Sequence, residues 1–479
     1  MTSSPAPSRR RWWALGLIAI AQFMVIMDTS IIGVALPRMQ EDLGFTPSTL
    51  SWVFNAYVIA FGGLLLLGGR LSDLFGARRL FVTGWIILLV GSFVAGAAGD
   101  VTIELVGRIV QGAGAALIAP SALTLLMMLF GANPKELTRA LALYGAAAPA
   151  GGTAGVFLGG LITQYASWPW VFYINIPIAL IAVLAARPLL PGGASGARGG
   201  VDLLGALTAT LGLGALVYGI VRAPEAGWAA TETLIAIVGG VVLLALFLVI
   251  QSRSRSPLMP LSIFRAPRLG AANLAQFFLG GAWIPMWFFL NLYLQQVLGY
   301  SAFPSGAALL PMTALIMVGM IVLAPRVIAR FGMKTPIVAG LVLLAAGLGW
   351  LSLVRPDGNF LVDVLPGSLV AALGMSLAFI PSLGTAISAA RPEEGGLASG
   401  IVNTSYQVGS ALGLAAMTAL AASFGAEQLG DLPALTDAYS AAFLGSAAVA
   451  LVGGVLALAF FRRTPAAAPA ADPALEAAG

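Results

Sequence analysis

Apolar stretches recur along this chain, separated by short polar segments in which arginine is common. A helix that crosses a bilayer needs about 20 predominantly apolar residues. The pattern predicts six such helices over Trp13–Leu36, Leu50–Gly69, Leu80–Ala98, Val101–Leu123, Ala140–Ile162 and Val171–Leu189. A Gly/Ser-rich linker, Gly192–Gly200, follows, and then a pair of spans, Leu203–Val221 and Thr233–Ile250. Six more are predicted over Leu269–Leu292, Gly306–Ile328, Ile337–Val354, Leu361–Ser388, Leu397–Phe424 and Ala441–Phe461. Of these fourteen, the ninth and tenth are interrupted by proline and are the least regular. The Ala/Pro-rich tail, Thr464–Gly479, reads as disordered. Arg9, Arg10 and Arg11 before an apolar run imitate a secretion signal. That run is too long, holds Asp28 and lacks a small-residue cleavage site, so it reads as an uncleaved first span.

Composition agrees with lipid as the solvent. Of 479 residues, 59% are hydrophobic and 9% charged, against about 25% charged in a soluble domain. The fold class is therefore all-α integral membrane. Cysteine and histidine are both absent. This excludes thiolate and imidazole metal sites, Ser–His catalysis and an imidazole proton relay. No metal and no cofactor are expected. Only two lysines occur, Lys135 and Lys334, and neither follows glycine, so the chain has no phosphate-binding loop for ATP. An enzyme is not expected.

The net charge of +5 suggests nucleic acid only until the charges are placed. Of the 24 basic residues, Arg38, Arg222 and Arg355 fall on one side of the predicted topology and Arg108 inside a span; the others lie with the termini. Basic residues mark the cytoplasmic side. Both termini are thus expected in the cytoplasm, and no nucleic-acid partner is implied.

Ionisable groups inside the bilayer are costly and usually functional. Asp28 is roughly 12 Å from the end of span 1 and Arg108 roughly 10 Å into span 4, by helical rise. They share a depth and can meet. One reading is proton coupling at Asp28 tuned by Arg108; the other is a permanent ion pair that fixes packing. On this placement Asp28 is the single deep acid. The segment Gly69–Arg79 (GRLSDLFGARR), with Gly69, Arg70, Asp73, Gly76, Arg78 and Arg79, reads as a tight basic loop. Its arginines fit a positive anchor, whereas Asp73 suits a helix N-terminus and so a contact made in one conformation only. A related segment, Arg326–Lys334 (RVIARFGMK), occupies the same position in the second half but has Ala329 in place of the acid. Span 5 carries Gly151, Gly155 and Gly159 on one face, beside Gly160, and such a face lets another helix approach closely. Tyr57, Gln111, Trp283, Trp287, Asn403, Tyr406 and Gln407 are candidates for a substrate cavity, since aromatic faces and neutral amides suit flat or cationic ligands.

Four segments now resemble the major facilitator superfamily, and within it the fourteen-span drug:proton antiporter branch. Met27–Pro37 (MDTSIIGVALP) is similar to that branch's first-span motif, and Gly69–Arg79 to the superfamily's signature loop. Arg108–Gly114 (RIVQGAG) resembles the fourth-span motif, and Gly151–Gly160 the antiporter motif of span 5. Trp168–Pro177 and Tyr293–Ser301 extend the match over both halves. In one departure, Val156 stands where the span-5 motif usually has proline, and Pro149 lies earlier. The resemblance implies a major-facilitator-type fold of two six-helix bundles, 1–190 and 265–463, around a two-helix insertion, 191–264, with a tail at 464–479. It also implies a proton-coupled exporter of small hydrophobic or amphipathic compounds, working by alternating access in the plasma membrane. Its partners would be the lipid bilayer, an amphipathic small molecule and protons, and it would act as a monomer. A proton-coupled importer of a nutrient on the same fold is the alternative.

Overall fold

In lipid a backbone must satisfy its own hydrogen bonds, and long apolar runs therefore fold as helices. The computed structural model of the chain describes residues 8–192, 200–265, 268–389 and 395–461. Its long helices are α1 (Ser8–Leu43), α2 (Pro47–Phe75), α3 (Ala77–Gly96), α4 (Val101–Phe130), α5 (Pro134–Tyr165), α6 (Trp170–Leu189) and α7 (Leu203–Ala226). They continue as α8 (Thr231–Arg253), α9 (Leu269–Val297), α10 (Ala302–Phe331), α11 (Lys334–Leu351), α12 (Phe360–Ala389), α13 (Gly395–Ser423) and α14 (Leu432–Phe460). Thirteen of the described helices are long and apolar enough to cross a membrane, and α13, 29 residues long, runs between the last two of them. Most of the linker (193–199) and the tail Thr464–Gly479 lie outside the described residues.

Helix ends follow local chemistry more than the hydrophobic pattern. The predicted first span stops at Leu36, but α1 runs on to Leu43, through Pro37. Its extension buries Met39 and pairs Arg38 with Glu41 before Gly44, at φ +76°, ends it. Asp100, Asp202 and Asp431 cap α4, α7 and α14, accepting from Ile103, Gly205 and Ala434 backbone N–H groups at 2.9, 2.8 and 3.1 Å. Such caps satisfy donors that a helix start leaves open. The irregular ninth and tenth spans are as expected: α9 closes in a wide π turn, Tyr293–Val297, and α10 is broken by another, Gly319–Leu323.

Helices meet closely because glycine removes the side chain at the contact. The α1–α5, α3–α4, α9–α13 and α11–α12 pairs all place glycine against a neighbouring backbone. Much of the chain's complement of 59 glycines is spent in this way. The α8 helix is the opposite case. Only 11% of its most apolar stretch is buried within the protein, so its Ile and Val side chains face lipid.

Candidate functional site

The most polar interior point of the described structure is built from five helices. Asp28 on α1 and Arg108 on α4 are 1% and 0% exposed. Arg108 Nη1 donates to Asp28 Oδ2 at 2.7 Å. The other carboxylate oxygen, Oδ1, accepts from Asn175 Nδ2 of α6 at 2.8 Å and Gln111 Nε2 of α4 at 3.1 Å. Ser92 Oγ of α3 accepts from the same two amides, at 2.8 Å from Gln111 and 3.2 Å from Asn175. On α2, the Val53 carbonyl accepts from Arg108 Nε at 2.9 Å, and the guanidinium lies 4.5 Å from the Tyr57 ring centroid. A buried ion pair is tolerable only when its remaining polar atoms are also satisfied. Asp28 meets that condition, with three donors on two oxygens.

Arg108 does not meet it fully, because its Nη2 has no partner. One turn nearer the start of α4 stands Glu104, 0% exposed, with neither carboxyl oxygen hydrogen-bonded. This corrects the sequence reading, in which Asp28 was the single deep acid. Glu104 falls near the predicted start of span 4, where an acid is normally interfacial. The structure instead encloses it among the neighbouring helices.

The remaining predicted residues are placed as follows. Gln111 and Tyr57, candidates for a substrate cavity, belong to the Asp28 cluster. Gly69, Arg70 and Asp73 do not form a loop: α2 remains helical to Phe75, and the turn is Gly76 alone, at φ +94°. No residue before Gly76 interrupts the helix, so the polar pattern that suggested a loop is its solvated last turns. Asp73 is exposed there, and Arg79 is exposed in the first turn of α3. Arg70 Nε donates to the Gly200 carbonyl at 3.4 Å and Arg78 Nη1 to Leu190 at 3.3 Å, so these arginines hold the two ends of the linker. On α5, a Cβ added at Gly151, Gly155 or Gly159 would collide with α1 at Phe23, Ser30 or Ile31, and at Gly160 with Ala302 of α10. Trp283 and Trp287 are buried on α9, and Trp287 and Asn291 lie against Gly33 of α1. Asn403 bonds back to Ser399 within α13, Tyr406 stacks edge-on with Phe379, and Gln407 packs at Gly62 of α2.

At the face where α1 ends, the two parts of the chain are tied by polar contacts. Gln296 Nε2 donates to Gln40 at 2.9 Å and Gln295 Nε2 to the Val34 carbonyl at 3.0 Å. Ser48 gives its N–H to Glu427 at 3.0 Å and its hydroxyl to Glu225 at 2.5 Å. Glu427 lies in the connection between α13 and α14. Partial burial holds its carboxyl above the usual glutamate pKa, the Ser48 hydrogen bonds oppose this, and neighbouring Glu225 adds to the rise.

Asn175 and Ser92 were missed by sequence reasoning along with Glu104. The signal available was a neutral polar residue within an apolar run, which is common in membrane helices and does not single them out.

A bundle of apolar helices around a buried carboxylate–guanidinium pair defines a multi-pass membrane protein. The Major Facilitator Superfamily profile matches residues 18–414 and again 368–477, and the chain belongs to that superfamily. It is 38% identical over 446 residues to a cephamycin export protein of Amycolatopsis lactamdurans, covering 92% of this chain and 91% of that one. It is 37% identical over 465 residues to a puromycin resistance protein of Streptomyces alboniger, covering 94% and 91%. A methylenomycin A resistance protein of Bacillus subtilis is 31% identical over 405 residues, covering 83% and 85%. Among solved structures, a nucleoside transporter superposes with a TM-score of 0.66 at 14% identity, over 94% of this chain and 100% of its own. At that identity the likeness concerns the fold alone.

Proposed function

We propose that this chain is a proton-driven exporter of small hydrophobic or amphipathic compounds of the antibiotic class. The observation that carries the reading is the enclosed Asp28, held by Arg108, Gln111 and Asn175, in a chain that resembles antibiotic exporters over nine-tenths of its length. A carboxylate there is too expensive to keep for packing alone, and protonation would release the guanidinium and loosen five helices at once. In this reading 1–190 and 265–463 rock about the site, with 191–264 as an insertion, so that each face opens in turn. The polar ties at the far end of α1 then belong to a form closed on that side. The arginines at the opposite face mark it as cytoplasmic, in a plasma membrane, with both termini inside. The monomer contains every group that this cycle uses.

Protonation of Asp28 from outside favours return to the inward-open form, and substrate competes for the ionised form. The test is a toxicity panel in an efflux-deficient host, with and without an uncoupler. Protection against at least one amphipathic antibiotic is expected, abolished by the uncoupler and by Asp28→Asn. Protection that survives both changes removes proton coupling, and accumulation in place of protection makes the chain an importer.

A further inference from the structure

Glu104 has no role in the scheme above, yet its surroundings are unusual. It sits in the first turn of α4, wholly enclosed, with both carboxyl oxygens lacking a protein partner. An ionised carboxylate in that position would be a buried charge without a hydrogen bond, and burial of that kind favours the neutral acid. Four residues further along the same helix is Arg108, and side chains at that spacing are neighbours on one face. Arg108 commits Nε and Nη1 to Val53, Asp28 and Gln111 but leaves Nη2 unused. The structure therefore contains one guanidinium, an acid bonded to its Nη1, and a second acid one helical turn away that has no hydrogen bond of its own.

We propose that Glu104 is a second proton-carrying group, which passes its proton to Asp28 while Arg108 changes partners from Asp28 to Glu104. In that step the O–H bond of Glu104 breaks and an O–H bond forms on an Asp28 oxygen. The guanidinium keeps its charge and turns Nη2 to the new carboxylate. The three groups carry the same total charge before and after, so the transfer adds no charge to the protein interior. Glu104, at the end of α4 nearer the far face, is then reprotonated from water on that side. The ionisable groups acting at this place are Arg108 on the same helix, Asp28 on α1 and Tyr57 on α2. Ser92 and Asn175, from α3 and α6, do not ionise. Asp100 caps the helix one turn further out, bonded to the Ile103 N–H group. The scheme gives Asp28 a proton donor that needs no histidine, and the chain has none.

The proposal rests on the proton-coupled reading, and its test separates the two. Glu104→Gln copies the neutral acid in shape, so a purely structural Glu104 predicts unchanged behaviour in that variant. A proton donor predicts that Glu104→Gln lowers proton-driven efflux by about a hundredfold, the low end for a positioned proton-transfer group. It also predicts loss of the dependence of efflux on external pH, with partial rescue in Glu104→Asp. Efflux is measured in whole cells on a compound to which the wild-type chain confers resistance. Wild-type rate and pH profile in Glu104→Gln, with Asp28→Asn inactive, overturn the role of Glu104 alone; an active Asp28→Asn overturns the coupling reading beneath it. Infrared titration of the purified protein provides a readout independent of substrate and of the fate of Glu104→Gln. A protonated-carboxyl band is expected at neutral pH in the wild type, and it should vanish in Asp28→Asn, where the released Arg108 takes Glu104 as partner. Its persistence in Asp28→Asn refutes the exchange.

Discussion

Removing Arg108 should cost more than removing Arg108 and the Asp28 charge together. In the native arrangement the pair is closed off from water and linked at 2.7 Å. Arg108→Leu leaves Asp28 with two neutral donors, Gln111 and Asn175, and no countercharge. The stranded carboxylate escapes by taking a proton, and this caps the penalty. Protonating an ordinary aspartate costs about 5 kcal/mol at about pH 7.5 and about 2 kcal/mol at about pH 5.5. The cap agrees with the 3–5 kcal/mol seen roughly when one partner of a buried pair is deleted. Arg108→Leu should therefore be destabilised by about 3 kcal/mol less at the lower pH. In Asp28→Asn/Arg108→Leu no charge is stranded, so the double variant should be more stable than Arg108→Leu at about pH 7.5, and its difference from wild type should not change with pH. Unfolding in sodium dodecyl sulfate, followed by tryptophan emission at both pH values, measures all four corners of the cycle. Additive single effects, or an Arg108→Leu penalty that ignores pH, would refute the reasoning.

Two further outcomes are expected. Gly155→Leu places a side chain where Ser30 and Met27 of α1 already stand, and overpacking of this kind costs about 1–3 kcal/mol. Resistance and detergent stability should both fall, whereas Gly145→Ala, whose Cβ would meet nothing within 4 Å, should leave both unchanged. The reverse ranking would show that the α1–α5 approach is not tight. At the far face, the Glu427 pKa is raised by burial and by Glu225, so its neutral form is the one the closed arrangement prefers. Closure is then strongest below the ordinary glutamate pKa and weakens as external pH rises through the raised value. Arg222, paired with Glu225, and Tyr439 are the other ionisable groups at this spot. Because the chain has no cysteine, Leu50→Cys is a clean reporter of closure. Its labelling by a thiol reagent, taken relative to a fully exposed cysteine at the same pH so that thiolate ionisation cancels, should speed up severalfold from acid to neutral external pH, and Glu427→Gln should flatten that response. Faster labelling in acid would contradict the assigned sign.

Hydrophobic patterning located every long helix because a bilayer demands one property, roughly 20 apolar residues in sequence, that composition reports directly. It did worse at the ends. Neither Pro37 nor the polar residues from Arg70 to Asp73 stop a helix, and the true stops at Gly44 and Gly76 depend on positive φ. The Asp28–Arg108 contact was legible since two charges at equal depth in apolar runs have few other partners. Asn175 and Ser92 were not, because an amide or hydroxyl in a span carries little cost and so little information. Glu104 was misplaced for a geometric reason. Depth along a sequence counts from the end of an apolar run, whereas burial at a helix end depends on which neighbours close over it.

The inventory of enclosed acids decides how far the coupling argument can go. Among the described residues, four carboxyl side chains are at least nine-tenths buried: Asp28, Glu104, Asp202 and Asp363. Asp202 is spoken for structurally, capping α7 through Gly205 and accepting from Gln251 at 2.7 Å. Asp363 is held by both Arg355 nitrogens, Nε at 3.0 Å and Nη2 at 3.1 Å, in the first turn of α12, and Arg355 itself lies in the connection before that helix. Bidentate pairing of that kind fixes a charge and does not invite its loss. That leaves two acids, on different helices, around a single arginine. In a chain with no histidine the proposed proton coupling falls to carboxyl groups, and Arg108 bonds one of these two acids and lies one helical turn from the other. The scarcity of charge in this chain thus bears on mechanism as well as on solvent: with one guanidinium between two acids, charge balance favours ionising one of them at a time.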